Sequence, residues 1–176
     1  MFIEGEKIFL RAIEEDDLNG NWINWLNNRR VTQYMNHGVF PYNAQKLHEY
    51  YTKVIQSNSD IVLAIVMKEN KIHIGNIGVH NINYIKRTGT VGIIIGEENA
   101  WGKGVGKEAI ILLSRHLINN LNLNRLHAST SCENIGCIKS FEKAGYTKEG
   151  LLRQTYYYDG KYHDEVVFSL IREDIS

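Results

Sequence analysis

Gly102, Gly104 and Gly106 alternate with Lys103, Val105 and Lys107 between two apolar stretches, Val91 to Ile95 and Ala109 to Leu113. The first stretch is β-branched and suits a buried strand, and the second opens an amphipathic helix. Alternating glycines at a strand-to-helix turn leave backbone N–H groups uncovered and pointing one way. Those orphan donors and the positive end of the helix dipole form a site for an anion, most often a phosphate. Lys103 and Lys107 add positive charge at the same place.

Two kinds of glycine loop do not fit. A P-loop requires Ser or Thr after Gly-Lys, and here Glu108 follows Gly106-Lys107. A dinucleotide fingerprint tolerates Ala109 at its third glycine position, but this loop lies past mid-chain with no early βαβ unit around it. Cys132 and Cys137 stand five apart at a helix start with no second ligand pair, so no metal site is expected.

Twenty basic and twenty acidic residues cancel, which argues against a nucleic-acid-binding protein. No run approaches the ~18 apolar residues of a membrane span, and the N-terminal residues have no signal-peptide character. Two cysteines are too few for a disulfide framework. The expectation is a single cytoplasmic domain over residues 1–176, a monomer or homodimer, with no nucleic-acid or membrane partner.

The elements that must position the glycine loop follow from periodicity. Strands are predicted at 6–12, 61–67, 72–82, 88–96 and 125–131, with a terminal hairpin of 148–157 and 161–171 turning at Asp159-Gly160. Helices are predicted from Leu18 to Leu26, from Ala44 to Ile55 behind an Asn43 cap, from Gly104 to about Asn120, and from Asn134 to Ala144. A short piece over 31–35 and a loop over 37–41 lie between the first two helices. Gly145 suits the C′ position of the last helix.

The loop resembles the pyrophosphate loop of the GNAT N-acetyltransferases, in the Trp-Gly-Lys-Gly-x-Gly-x-Glu-Ala form of the branch that includes ribosomal-protein N-terminal acetyltransferases. Trp101 stands where the general motif has Gln or Arg. A second segment, Asn134 to Tyr146, is similar to the family's Asn-x-x-Ser/Ala…Glu-Lys-x-Gly-Phe stretch. A third, Ile8 to Ala12 followed by Asp17 and Trp25, also matches, and the β-α-α-β-β-β-α-β-α-β-β order agrees over nearly the whole chain.

The resemblance implies an α/β (α+β) fold. It has a mixed sheet of about seven strands, split between the fourth and fifth, with about four helices. It also implies acetyl-CoA as cosubstrate, lying in the split. Ile94, Ile95 and Gly96 would offer the strand edge to the pantetheine amides. Gly102, Lys103, Gly104, Val105, Gly106 and Lys107 would hold the pyrophosphate. Asn134, Phe141 and Lys143 would lie along the cofactor, and Asn134 also reads as an N-cap. The implied reaction is acetyl transfer to a primary amine of a small molecule such as an amino sugar, polyamine or antibiotic. The alternatives are a (ribosomal) protein N-terminus as acceptor, or a non-catalytic acyl-CoA-binding module.

Two family positions depart from the pattern. The general-acid tyrosine is replaced by Phe141, and the glutamate base at the start of the fourth strand by Thr90. The remaining candidates are His80, His127, Glu97, Glu98, Glu133, Ser129, Cys132 and the tyrosines of the last hairpin. His127, on the strand bordering the split and titrating near neutrality, is the candidate base; the alternative places it on the outer face of that strand. Trp22 and Trp25 are expected in the core. Asp16-Asp17 and Glu97-Glu98 are expected to be solvated turn charges.

Overall fold

Strand by strand, the apolar residues sort onto two faces of one sheet. The structure is a computed structural model and describes residues 1–35 and 38–175. The strands are β1 (Ile3–Glu4), β2 (Ile8–Ala12), β3 (Ile61–Met67), β4 (His73–Asn83), β5 (Thr88–Ile95), β6 (Arg125–Ser131), β7 (Thr147–Tyr158) and β8 (Lys161–Ile171). They hydrogen-bond in the order β1-β2-β3-β4-β5-β6-β8-β7. The two-residue β1 makes the count eight rather than seven. The expected fourth and fifth strands are therefore β5 and β6, and their pairing is parallel.

The helices are α1 (Trp22–Asn27), α2 (Arg29–Thr32), α3 (Ala44–Ile55), α4 (Val105–Asn119) and α5 (Ile135–Lys143). The expected first helix divides into a 3-10 turn over Glu15–Asn19 and α1. Asn28 then caps α2 by accepting from the Arg30 N–H at 2.9 Å. Asn43 caps α3 in the same way through the Lys46 N–H. Of the loop expected over 37–41, His37 lies outside the described residues.

Helices α4 and α5 cover one face. Ile110, Leu113 and Leu117 pack there on Ile8, Leu63, Ile65, Ile77, Val79 and Leu126. Helices α1 and α3 cover the other, where Trp22, Trp25, Leu26 and Leu47 pack with Val62. Strand β3 is buried from Val62 to Val66, so it reads as a continuous apolar run rather than an alternation. Among the described residues, no helix is long and apolar enough to cross a membrane.

The feature that positions the site is the short β5–β6 pairing. It comprises three rungs, Thr88 with Arg125, Gly89 with Leu126 and Thr90 with His127. Beyond them β5 continues to Ile95 and β6 to Ser131 without pairing, so the sheet opens. At the far edge Asp159 and Gly160 take φ of 51° and 74°, the left-handed pair that a two-residue type I′ hairpin turn needs.

Candidate active site

The open edge of β5 has a definite parity. Its register with β4 is regular from His80–Thr90 to Gly75–Ile95. The Gly96 N–H continues this ladder by donating to the Ile74 carbonyl at 2.8 Å. Antiparallel pairs alternate between bonded and non-bonded rungs. Ile94 and Gly92 therefore spend their backbone groups on β4, while Ile93 and Ile95 turn theirs toward the opening. This differs from the sequence expectation: of Ile94, Ile95 and Gly96, only Ile95 faces the split, and Ile93, which was missed, joins it.

Next to that edge the chain turns into α4. Gly102 and Gly104 have φ of 74° and 81°, and a Cβ built on either meets nothing within 4 Å. Both glycines are therefore demanded by backbone conformation and leave open space in front of the helix N-terminus. A Cβ on Gly106 would lie 3.7 Å from Ser140 Oγ, 3.8 Å from Ile95 and 4.0 Å from Ile93. Gly106, the β5 edge and α5 thus converge on one groove. Gly136, Ser140 and Lys143 fall at helical spacing on α5, which puts Lys143 on the stripe that faces α4. Lys103 and Lys107 are exposed beside the loop, and Val105 is buried beneath it.

The loop is latched to the α1–α2 segment. Glu97 Oε1 accepts from Trp25 Nε1 at 3.0 Å and from Asn21 Nδ2 at 2.8 Å. Glu98 accepts from Asn28 Nδ2 at 3.0 Å and pairs with Arg30 at 2.6 Å. Trp101 donates its indole N–H to the Ile95 carbonyl at 2.8 Å. Glu97 and Glu98 are therefore clamps rather than solvated turn charges, and Trp101 anchors the loop. Asp17 likewise is no solvated turn charge. It is 7% exposed and is held by Arg11 at 2.7 Å through both oxygens.

Asn134 is an N-cap. Its Oδ1 accepts from the Cys137 N–H at 3.2 Å and its Nδ2 donates to Thr130 Oγ1 at 3.1 Å, so both ends of the amide are engaged. Phe141 is 2% exposed and stacks on Phe168 with ring centroids 5.8 Å apart. It is a core residue, not one lying along a ligand. Burial pushes the nearby Cys137 thiol up to about 11, and a hydrogen bond from Thr130 only partly opposes this. That thiol stays protonated and is no nucleophile.

On the opposite face a cavity of about 170 Å³ opens between α1, α3 and strands β4–β5. Trp22, Leu26 and Tyr50 form its helical wall together with Tyr42 from the loop before α3, and Gly78, His80, Gly92 and Ile94 lie on its sheet wall. Residues directly opposite in a sheet share a face. His80 pairs with Thr90, and Thr90 pairs with His127. Two histidines therefore flank Thr90 in one row, at the rung where β5 and β6 stop pairing. His127 does not line the cavity. Burial, reinforced by Arg125 and opposed by Glu149, lowers the pKa of its imidazole.

On the other side of β6 the terminal hairpin is tied to the end of that strand. Tyr158 shares a 2.7 Å hydrogen bond with Ser131 Oγ and donates to Glu133 at 3.2 Å. Its ring stacks on His163 and meets Tyr34 edge-on. Of the three consecutive tyrosines, Tyr156 and Tyr158 are half-buried and Tyr157 is exposed. No periodicity selects Tyr158, because its partners come from three other elements.

Residues 7–147 match the family model described as an acetyltransferase (GNAT) domain. The chain belongs to that family and is an acyltransferase. It is 31% identical to the uncharacterized N-acetyltransferase p20 of Bacillus licheniformis, over 96% of this chain and 95% of that protein. It is also 31% identical to a spermidine N(1)-acetyltransferase of Vibrio cholerae serotype O1, over 90% and 89% of the two. The crystal structure of spermidine N-acetyltransferase from Vibrio cholerae in complex with CoA and spermine superposes with a TM-score of 0.86. Identity there is 28%, with 96% of this chain and 97% of that chain covered.

Proposed function

We propose that the chain transfers an acetyl group from acetyl-CoA directly to the primary amine of a small molecule. The observation that carries this reading is the meeting of two openings at β5. The groove of Gly106, Ser140, Ile93 and Ile95 lies on the α4–α5 face, and the aromatic-walled cavity lies on the other. The pantetheine arm carries amides that pair with the outward groups of Ile93 and Ile95 as an added strand does. Its pyrophosphate meets the N–H groups from Gly102 to Lys107, with Lys103, Lys107 and Lys143 supplying charge. The thioester then reaches the rung of Thr90, and the amine approaches from the cavity.

The similarity to spermidine acetyltransferases motivates polyamines as acceptors alongside amino sugars and aminoglycosides. The test is a thiol-release screen over spermidine, glucosamine, kanamycin and a short peptide with a free N-terminus. Release with a small amine supports the reading. Release with the peptide alone replaces it with an N-terminal acetyltransferase. Coenzyme binding without release on any amine leaves an acyl-CoA-binding module.

A further inference from the structure

We propose that His80, positioned by Asp60, is the group that takes the proton from the acceptor amine. This rests on the acetyl-transfer reading and adds to it the residue that fills the gap left by Thr90.

His80 Nδ1 lies 3.2 Å from Asp60 Oδ1. Asp60 is itself fixed, accepting from Ser57 Oγ at 2.7 Å and from the Asn81 N–H at 3.1 Å. Asn81 adopts φ of 53°, and the β4 register slips between His80 and Asn83. This local irregularity aims the backbone N–H next to His80 at the carboxylate that holds the ring. A carboxylate on Nδ1 keeps the proton there and leaves the Nε2 lone pair free. Nε2 projects over two glycines that face each other across β4 and β5. It lies 3.2 Å from a Cβ built on Gly78 and 4.0 Å from one built on Gly92. A side chain at Gly78 would crowd the nitrogen and one at Gly92 would stand against it, and their absence opens it to the cavity.

The chemistry balances with one base. The ammonium gives a proton to Nε2, and the freed lone pair forms the C–N bond at the thioester carbonyl. The C–S bond breaks with its electron pair on sulfur, and a proton remaining on nitrogen passes to the thiolate. His80 returns its proton to solvent. Asp60 is a positioning residue.

The charged and titratable groups around His80 come from several elements. Asp60 precedes β3, Tyr42 and Tyr50 line the cavity, and His127 sits beyond Thr90 with Arg125 and Glu149 beside it. Burial, with Tyr42 and Asp60 adding to it, pushes the Tyr50 hydroxyl up to about 12. It is neutral across the working range and adds no limb to a rate profile there.

The test compares H80Q, D60N and H127Q with the parent on the best acceptor of spermidine, glucosamine and kanamycin. H80Q is expected to lower kcat by about 100-fold or more while leaving KM for acetyl-CoA unchanged. It also removes the acid limb of the pH–rate profile. D60N gives a smaller loss, because the ring keeps its base but loses the carboxylate that orients it. H127Q retains the limb. Near-parental kcat in H80Q, or loss of the limb only in H127Q, overturns the proposal and leaves the acetyl-transfer reading standing. Failure of the parent itself on every amine defeats that reading instead. Independently of turnover, imidazole nitrogen NMR is expected to show His80 protonated at Nδ1 in the parent and shifted in D60N. A ring protonated at Nε2 in the parent rejects the assignment.

Discussion

The indole of Trp25 donates to Glu97 at 3.0 Å while its ring fills the space above Gly96, where a built Cβ would lie 1.9 Å from Cδ2. One residue of α1 thus reads both the shape and the charge of the β5–α4 turn. Gly96→Ala is expected to cost about 1–3 kcal/mol through overpacking. Glu97→Ala is expected to cost about 1–2 kcal/mol through the orphaned indole N–H. Urea unfolding of the two single variants and the double variant checks both, and the double should fall short of the sum because they share Trp25.

Gly104→Glu places a carboxylate at the mouth of α4. It is expected to abolish coenzyme A binding by calorimetry. Gly104→Ala carries the same φ of 81° without the charge and should still bind. Each substitution pays about 1–2 kcal/mol of left-handed strain, read from chemical denaturation. Loss of binding in the alanine variant would assign the effect to backbone distortion instead of charge.

The parity of the β5 edge is tested by proline. Ile93→Pro removes an N–H that faces the opening, a position a strand tolerates. It should fold and bind coenzyme A more weakly. Ile94→Pro removes an N–H from the β4 ladder and should fail to fold. The reverse pattern in circular dichroism would show the ladder out of register by one residue.

Asp17 sets an acid limit on stability. Burial alone would raise its pKa, but Arg11, His73 and the Glu14 N–H override this and hold the carboxyl well below the usual range. Its folded pKa is depressed, so its contribution is fully present above the unfolded value of about 4. That contribution is lost as pH falls further. Asp17→Asn, which takes the charged partner from the half-buried Arg11, should cost about 1.5–3 kcal/mol at neutral pH. It should also flatten stability against pH in the acid range, both read from denaturant midpoints.

Periodicity exposed most of the architecture. The β-branched runs of β3 and β5, the amphipathic α4, the Asp159-Gly160 turn and the alternating glycines all announce themselves locally. What escaped depends on contacts across the chain. Whether Ile93 or Ile94 faces the split is decided by which rungs of β4 bond. Glu97 and Glu98 look like solvated charges until α1 and α2 fold back over them. His80 stood among the candidates, but its partner Asp60, twenty residues away with no motif between them, did not. A trace was present in Gly78-x-His80, where a glycine and a histidine share one strand face, but it gains meaning only once Gly92 lies opposite. Phe141 is the converse case: a family position suggested a ligand contact, and a large aromatic side chain at that turn of α5 is instead absorbed by the core.

Three rungs join the two halves of the sheet, so the ladder is unfinished in the protein alone, and on the proposed reading the pantetheine arm of the coenzyme completes it. Amide hydrogens of Ile93 and Ile95 should therefore exchange quickly with solvent in the free chain and slowly once coenzyme is bound. On that reading the exchange rates of the β5 backbone would report how much of the chain holds coenzyme.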